Sequence, residues 1–388
     1  MILGASILQA PAIQMAVQMG LKVVVLDMNP DAVGFAVPGV IKEIISTINI
    51  PAAIEAAKRY HVDGVMTLAT DMPMRTVAAV AKECGLVGIS EDTAIKATDK
   101  SVMREALKAA GVPIPLFYRV ENKDEFFYAI ERMTGAFMVK PADSSGSRGV
   151  LKVTDRIAAE EAYQYSQKYS RNGVVVVEEC MVGPEVSVET FAIDGEIQVV
   201  QITDKMTTGA PHFVEIGHTQ PTRLTCIEEI KKVAVAANKA IGIENGPSHT
   251  EIIVTKEGPK IVEIGARLGG DCITTYLVPL STGVDMVKAC ILMALGERPD
   301  ISMKKNCGSA IRYFHQHAGI VQSIENLQKV EGMSGIKQIG IVHGVGERIT
   351  DIVDSGSRMG FVIAQGVDAD DAARKCENAV NTIRIRVL

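Results

Sequence analysis

The chain has 388 residues, 47% hydrophobic and 22% charged, with 46 acidic against 40 basic side chains and a formal charge of −6. That composition fits two or three folded domains, excludes disorder, and argues against general nucleic-acid binding, which needs a basic stripe to neutralise phosphates. Aromatics are only 4%, without Trp, and no apolar run reaches the roughly 18 residues of a membrane span, so neither base stacking nor a membrane is expected.

Met1 leads straight into Ile-Leu-Gly without a basic leader, so no signal peptide is expected, and the first strand is short enough to suggest a cut-back start. Ile2–Leu3, Lys22–Leu26 and Gly64–Leu68 read as short buried parallel strands. Helical spacing runs from Ala10 to Met19, closed by Gly20, then over Ala52–Tyr60 and Met74–Glu83, ended by Gly85. This is a doubly wound α/β unit. The turn from Gly4 to Gln9 lacks the GxGxxG fingerprint and reads as packing rather than a dinucleotide site.

A helix over Asp99–Ala110 follows, capped by Thr98 or Asp99 and stopped by Gly111 and Pro113. Strands are then expected at Ala136–Lys140, Val150–Val153 and Val174–Val177, with a helix at Ala158–Tyr169. Next come strands Val186–Ile193 and Gln198–Thr203, a helix Ile227–Ala240, a hairpin spanning Glu251–Glu263, and a helix Val284–Leu295. After the polar segment Glu297–Asn306, Ser309–Leu388 reads as a smaller α+β module. The expected division is 1–95, 96–304 with an inner lobe at about 113–182, and 305–388. The seven Cys are scattered with no CxxC pair, the usage of a reducing cytoplasm, and are expected as small buried apolar residues.

Four segments carry chemistry. In Lys140-Pro-Ala-Asp-Ser-Ser-Gly-Ser-Arg-Gly149 a strand delivers a Lys to a loop of Gly and Ser, where bare backbone N–H groups can converge on one anion. A strand follows it, so it is not a Walker A loop; a solvated polar hairpin is the alternative. In Val174-Val-Val-Val-Glu178-Glu179-Cys-Met181-Val-Gly-Pro-Glu185 an apolar strand runs into paired carboxylates. That suits an adenine slot with an acid for the ribose; an exposed strand end with surface Glu is the alternative. Lys100 stands in the first turn of a helix, where the macrodipole disfavours a cation unless an anion joins it. A solvated Lys is again the plain alternative.

The fourth segment is Thr250-Glu251 through Glu263. With Lys256-Glu257-Gly258 as a three-residue hairpin loop, Glu251 falls directly opposite Glu263. Facing like charges among Ile and Val repel, and a divalent cation shared with phosphates removes the conflict. Arg267 follows four residues later, able to reach the same face. In another loop register both Glu would simply face solvent.

Taken in this order, the segments resemble the ATP-grasp carboxylate–amine ligases over essentially the whole chain. The resemblance implies an ATP-grasp fold with an N-terminal Rossmann-like preATP-grasp domain and a small C-terminal α+β domain. It implies ATP and Mg²⁺, with Mn²⁺ as an alternative, as cofactors. Lys100 and Lys140 would contact phosphates, with Ser144, Ser145, Gly146 and Gly149 in a closing lid over Ser144 to Gly149. The Glu178 side chain would accept from the adenine amino group, the backbones of Glu179 and Met181 would pair with the adenine edge, and Glu185 would hold the ribose. Glu251 and Glu263 would bind the metal. Where many relatives carry a further Asn ligand, this chain has Gly265.

Thr203-Asp-Lys205, Phe213-Val-Glu-Ile-Gly-His218, Ser248-His249-Thr-Glu251 and Glu263-Ile-Gly-Ala-Arg-Leu-Gly-Gly-Asp271 resemble the L-amino-acid (dipeptide) ligases within that superfamily. Gly308-Ser-Ala-Ile-Arg312-Tyr-Phe and Asp354-Ser-Gly-Ser-Arg358-Met-Gly resemble their small domain. This implies Arg267, His218 and Lys205 as catalytic residues. His218, Arg267, Gly269, Gly270 and Asp271 would line the substrate pocket, with the two glycines leaving room at its floor. His249 is expected as a hydrogen-bonded core His, and His315, His317 and His343 as structural. The implied reaction joins small-molecule carboxylate and amine substrates, L-amino acids, through an acyl phosphate, in a cytoplasmic homodimer. Two rivals stand beside it: a purine-biosynthesis-type phosphoribosyl-amine ligase, and a catalytically silent nucleotide-binding protein.

Overall fold

The computed structural model describes residues 1–146, 148–210 and 212–388. The N-terminal unit is a parallel sheet of β1 (Ile2–Leu3), β2 (Val24–Asp27) and β3 (Ile41–Ile44), in that order. Around it lie α1 (Ala10–Gln18), α2 (Ile50–Tyr60) and α3 (Pro73–Cys84). The strand expected at Gly64–Leu68 is reduced to one bridge, Ile2 to Met66, because β1 is two residues long and offers no further rung. The turn from Gly4 to Gln9 is closed by its own side chains. Asp27 accepts from the Ala5 N–H (2.8 Å), so the carboxylate that would hold a ribose in a dinucleotide fold is occupied.

After α4 (Glu91–Lys96) comes α5 (Lys100–Ala109), whose cap is Asp99: its carboxylate accepts from the N–H groups of Ser101 (2.9 Å) and Val102 (3.2 Å). An inner lobe follows, built from β4 (Phe117–Val120), α6 (Lys123–Glu131), β5 (Phe137–Pro141), β6 (Leu151–Val153), α7 (Ala159–Tyr169) and β7 (Val175–Glu179). Its sheet has the order β4-β7-β5-β6, and α6 and α7 pack on it through Phe126, Ala129 and Tyr163 against Val139, Val175 and Val177. β4 and α6 were not expected from the sequence; four strand residues and a helix with three adjacent aromatics leave no clear period.

The largest sheet uses β8 (Glu185–Ile193), β9 (Glu196–Thr207), β10 (Glu215–Gln220), then, after α8 (Ile227–Ile241), β11 (Gly246–Thr255) and β12 (Gly258–Gly265). Beyond α9 (Val278–Thr282) and α10 (Met286–Ala294) the chain adds β13 (Gly308–Tyr313), β14 (Gly319–Glu325), α11 (Leu327–Glu331), β15 (Ile336–Ile341), β16 (Arg348–Ile349), β17 (Gly360–Gly366), α12 (Ala369–Thr382) and β18 (Arg384–Val387). The eight-stranded order is β12-β11-β8-β9-β10-β13-β17-β15, so three C-terminal strands extend the same sheet. β16, β14 and β18 form a separate small sheet. Among the described residues no single helix is long and apolar enough to cross a membrane.

Strand alternation divides the large sheet into two chemistries. Val186, Val188, Ile202, Ile252 and Ile264 point to α8 and pack on Ile230, Ala234 and Ala237. The opposite face carries Glu185, Ser187, Glu189, Thr203, Lys205, His218, Gln220, His249 and Glu251, all withdrawn from bulk water.

Candidate active site

The polar face of the large sheet and the edge of the inner lobe bring most of the expected residues together. Glu251 and Glu263 do face each other, but not through the expected loop. The turn is two residues, Lys256 and Glu257, with Thr255 paired to Gly258; a bulge after Glu251 then shifts the register by one and leaves Val262 without a partner. Arg104 of α5 donates from Nη2 to the Val262 carbonyl (2.7 Å), satisfying the group that the bulge releases.

Arg104 also holds Glu178, through Nη2 (2.9 Å) and Nε (3.2 Å), and Lys140 pairs with the other Glu178 oxygen. Glu178 is 2% exposed. Burial pushes its carboxyl up, yet the two cations prevail and hold it at about 2. Lys100 donates to Glu263 (3.0 Å) and to the Ser144 carbonyl (2.8 Å); burial opposes its charge, but Glu263 and Asp71 raise its pKa. Both lysines expected on phosphates are thus held here by carboxylates.

The loop after Lys140 begins in a tight anchorage: Asp143 accepts from the N–H groups of Arg171 (2.9 Å) and Asn172 (3.1 Å). Ser144 offers its carbonyl to the Lys100 ammonium, Ser145 and Gly146 follow, Ser147 lies outside the described residues, and Gly149 closes the loop. Gly149 is left-handed (φ +78°), and a Cβ there would meet the Tyr169 Cβ at 2.7 Å. On the adenine side, the Glu179 N–H donates to the Leu116 carbonyl (2.9 Å), so it is not available to an adenine edge. Among the described residues nothing pairs with the Met181 N–H.

Lys205 sits among three carboxylates, Glu185 (2.7 Å), Glu251 (3.0 Å) and Glu215 (3.4 Å). Burial works against its charge, and the three acids hold its pKa well above the usual value. Glu251 shows the reverse: burial pushes it up, while Lys205 and His249 hold it well below the carboxylate range. His249, expected as a core His, lies between Glu189 (Nδ1 to Oε1, 2.5 Å) and Glu251 (Nε2 to Oε1, 3.5 Å). Burial disfavours its charged form, but Glu189 raises the pKa to about 9, so the ring is cationic at neutral pH.

Gly265 has a structural reason. A Cβ there would come within 2.8 Å of Asp71 Oδ1, and Asp71 in turn accepts from Arg267 Nε at 2.7 Å. Burial raises the Asp71 carboxyl and Arg267 more than compensates, so the pair is ionised. Asp71 follows the Gly64–Leu68 segment of the N-terminal unit, the C-terminal strand end where open α/β sheets bind ligands, and that position was the signal available in the sequence. Among the described residues no cluster of three acidic, His or Cys side chains stands ready for a metal. The two facing Glu are the candidate donors, since paired carboxylates completed by phosphate oxygens suit Mg²⁺.

At the far end His218 contacts Asp271 (3.2 Å), and Asp271 is gripped by Arg358 of the C-terminal segment. Gly269 does not open the pocket floor as expected. A Cβ there would meet His249 Nδ1 at 2.7 Å and both Glu189 oxygens at 2.9 Å, so the glycine permits close packing rather than leaving room. At Gly270 the nearest atom, the Ala69 Cβ, is at an ordinary 3.5 Å. Arg104, Asp71, Glu189 and Arg358 were not anticipated as site residues. Arg104 had a local signal, one helical turn after Lys100 on α5.

Residues 133–275 match the ATP-grasp domain family, and 312–388 match the L-amino acid ligase C-terminal domain 2. An L-arginine-specific L-amino acid ligase of Bacillus subtilis is 24% identical over 294 residues, 72% of this chain and 69% of that protein. A phosphoribosylamine–glycine ligase of Methanococcus vannielii is 26% identical over 317 residues, 73% of this chain and 70% of that one. The crystal structure of an L-amino acid ligase from Bacillus licheniformis shares the fold with a TM-score of 0.88 at 23% identity, covering 100% of this chain and 98% of that one. With the ordered constellation above, these matches give the chain an ATP-grasp domain over 133–275 and, over 312–388, a C-terminal domain of the L-amino acid ligase kind.

Proposed function

We propose that the protein joins the carboxylate of one amino acid to the amine of another, using ATP to form an acyl phosphate and releasing ADP and phosphate. The observation that carries this reading is the half-buried pair Glu251 and Glu263, facing each other with Arg267 four residues further along the same strand exit. Glu178, kept ionised by Arg104, is an acceptor only, which suits the adenine amino group and not a carbonyl at the same place. Glu185, at the start of β8, would take the ribose. When the nucleotide enters, Lys140 and Lys100 exchange their carboxylates for phosphate oxygens, and the loop from Ser144 to Gly149 closes to exclude water.

Mg²⁺ held by Glu251 and Glu263 would neutralise charge on the transferring phosphoryl group. Arg267, fixed through Nε by Asp71 and through Nη1 by the Leu268 carbonyl, keeps Nη2 for the substrate carboxylate and then for the acyl phosphate that replaces it. No covalent nucleophile is required; position and electrostatics supply the catalysis. Cys272, beside the pocket, is unsuited to that role because burial pushes its thiol up to about 12.

The phosphoribosyl-amine reading is favoured by the similarity to a phosphoribosylamine–glycine ligase. Against it, the cations around this pocket are already engaged by acids: Arg267 by Asp71, His249 by Glu189, Lys205 by Glu185, Glu215 and Glu251, and Arg358 by Asp271. A sugar phosphate would need a further cation there. ADP release measured with a pool of L-amino acids, and separately with phosphoribosylamine plus glycine, separates the readings. Stimulation by the pool with a dipeptide seen by mass spectrometry is expected; stimulation by the phosphoribosyl amine alone would overturn the assignment, and turnover with neither would leave a silent nucleotide binder.

A further inference from the structure

His218 is 1% exposed, and its Nε2 faces the Asp271 carboxylate. Burial works against the Asp271 charge, but His218 and Arg358 hold it ionised. An ionised carboxylate only accepts, so Nε2 carries the proton, and in the neutral ring Nδ1 is a bare acceptor. Nδ1 is buried and has no hydrogen-bond partner among the described residues. Leaving such an atom unpartnered costs its desolvation with nothing in return. His218 lies directly opposite Lys205 in the ladder, on the face that carries Glu251, so the acceptor left open at Nδ1 belongs to the candidate active site.

The carboxylate that orients the ring is itself held from a distance. Asp271 and Cys272 both have left-handed backbone, φ +50° and +62°, a conformation unfavourable to a residue with a Cβ. Arg358 secures this turn with a two-pronged grip: Nη1 to Oδ2 at 2.9 Å and Nη2 to Oδ1 at 2.8 Å. Its guanidinium lies 3.9 Å over the Tyr313 ring, and Nη1 also donates to the Glu215 carbonyl (3.1 Å) on β10, the strand of His218. One side chain from the C-terminal segment therefore fixes both the strand and the acid that set the His218 ring.

We propose that Arg358 is a positioning residue for the amide-forming step, acting through Asp271 to hold His218 Nδ1 as the base for the incoming amine. The proposal rests on the ligase reading above. An amino acid arrives as an ammonium; one proton passes to Nδ1, and the freed nitrogen lone pair attacks the acyl carbon. The C–N bond forms as the C–O bond to phosphate breaks, the phosphate leaving with that electron pair. The second proton is lost from nitrogen as the amide forms; of the two, one ends on phosphate and one in solvent.

The test uses hydroxylamine, a small nucleophile already unprotonated at neutral pH, which traps an acyl phosphate as a hydroxamate without needing a base. Wild-type protein, Arg358→Met and Arg358→Lys are each assayed for amide and for hydroxamate formation, with KM for ATP measured alongside. Arg358→Met is expected to lower kcat for the amide about 10–100-fold, the range typical of lost orienting contacts, with hydroxamate formation and KM for ATP within about twofold. Arg358→Lys keeps the charge without the fork, and should show a smaller split in the same direction even if the Met variant folds poorly. In a His218→Ala background, Arg358→Met should add less than about twofold, because the two act as one unit. Equal loss of amide and hydroxamate, or loss of neither, overturns the proposal. Wild-type protein that makes amide but no hydroxamate instead overturns the acyl-phosphate reading, and the proposal with it.

Discussion

Arg104 Nη2 and the Val262 carbonyl oxygen lie 2.7 Å apart, and this contact ties the adenine end of the site to the metal end. The bulge at Val262 is what turns Glu263 toward Glu251, and the guanidinium that satisfies it also grips Glu178. A single buried cation thus supports both the carboxylate expected at adenine and the register of the pair expected at the metal.

Removing that cation should be costly in a pH-dependent way. Arg104→Met leaves a buried carboxylate short of a partner, a change worth about 3–5 kcal/mol in comparable pairs. The folded-state pKa of Glu178 is depressed to about 2 from 4.5, so its contribution is present above 4.5 and is lost as pH falls towards 2. The stability gap between wild type and Arg104→Met should therefore be full at pH 7 and narrow below pH 4.5. Urea unfolding across that range checks it; a gap independent of pH would show that Glu178 is not the group responsible.

Glu263→Gln should nearly abolish ATP turnover while the protein stays folded. Metal stabilisation of the transition state is worth several kcal/mol, so the loss should be about 100-fold or more. ADP release and a thermal melt measure the two halves of this statement. Near-normal turnover in the variant, or wild-type activity that persists in EDTA, would remove Glu263 from the metal site.

The glycine-rich loop supplies a protection experiment. Arg148 is exposed within it and offers a trypsin site. Cleavage after Arg148 should be rapid in the free protein and strongly slowed by ATP with Mg²⁺, read by mass spectrometry of the fragments. The same rate in both conditions would argue against closure of this loop over the nucleotide.

Gly269→Ala should destabilise the protein by about 1–3 kcal/mol, the usual range for overpacking, because the new methyl meets two pinned and buried side chains, His249 and Glu189. Activity should fall with it, since His249 also touches Glu251. Gly270→Ala, with only an ordinary contact to Ala69, is the matched control and should be close to neutral in stability. Similar melting temperatures for the two variants would contradict the packing argument.

What the sequence disclosed was the local chemistry. Lys100, Lys140, Glu178, Glu251 and Glu263 each stood in a recognisable segment, and the structure gathers them around one face. The facing of Glu251 and Glu263 was anticipated through a loop that does not exist; the true turn is shorter, and the bulge restores the same pairing. A bulge leaves no mark in an alternating apolar run, so the compensation was invisible. Asp71 and Arg358 escaped for another reason. Asp71 meets Arg267 across 196 residues of chain, and Arg358 meets Asp271 across 87. Neither separation generates any periodicity to read.

The bare α-carbon of Gly265 makes two distant positions a single unit of change. A side chain at 265 needs residue 71 to shrink, since the two would otherwise be 2.8 Å apart. Yet a shortened residue 71 strands Arg267 as a buried cation, at about 3–5 kcal/mol, unless residue 265 brings a replacement acceptor. Each substitution alone is expected to cost stability, which the double exchange avoids. Any mutant library that varies the surroundings of the Glu pair while holding Asp71 constant will return glycine at 265, however strongly metal affinity is selected.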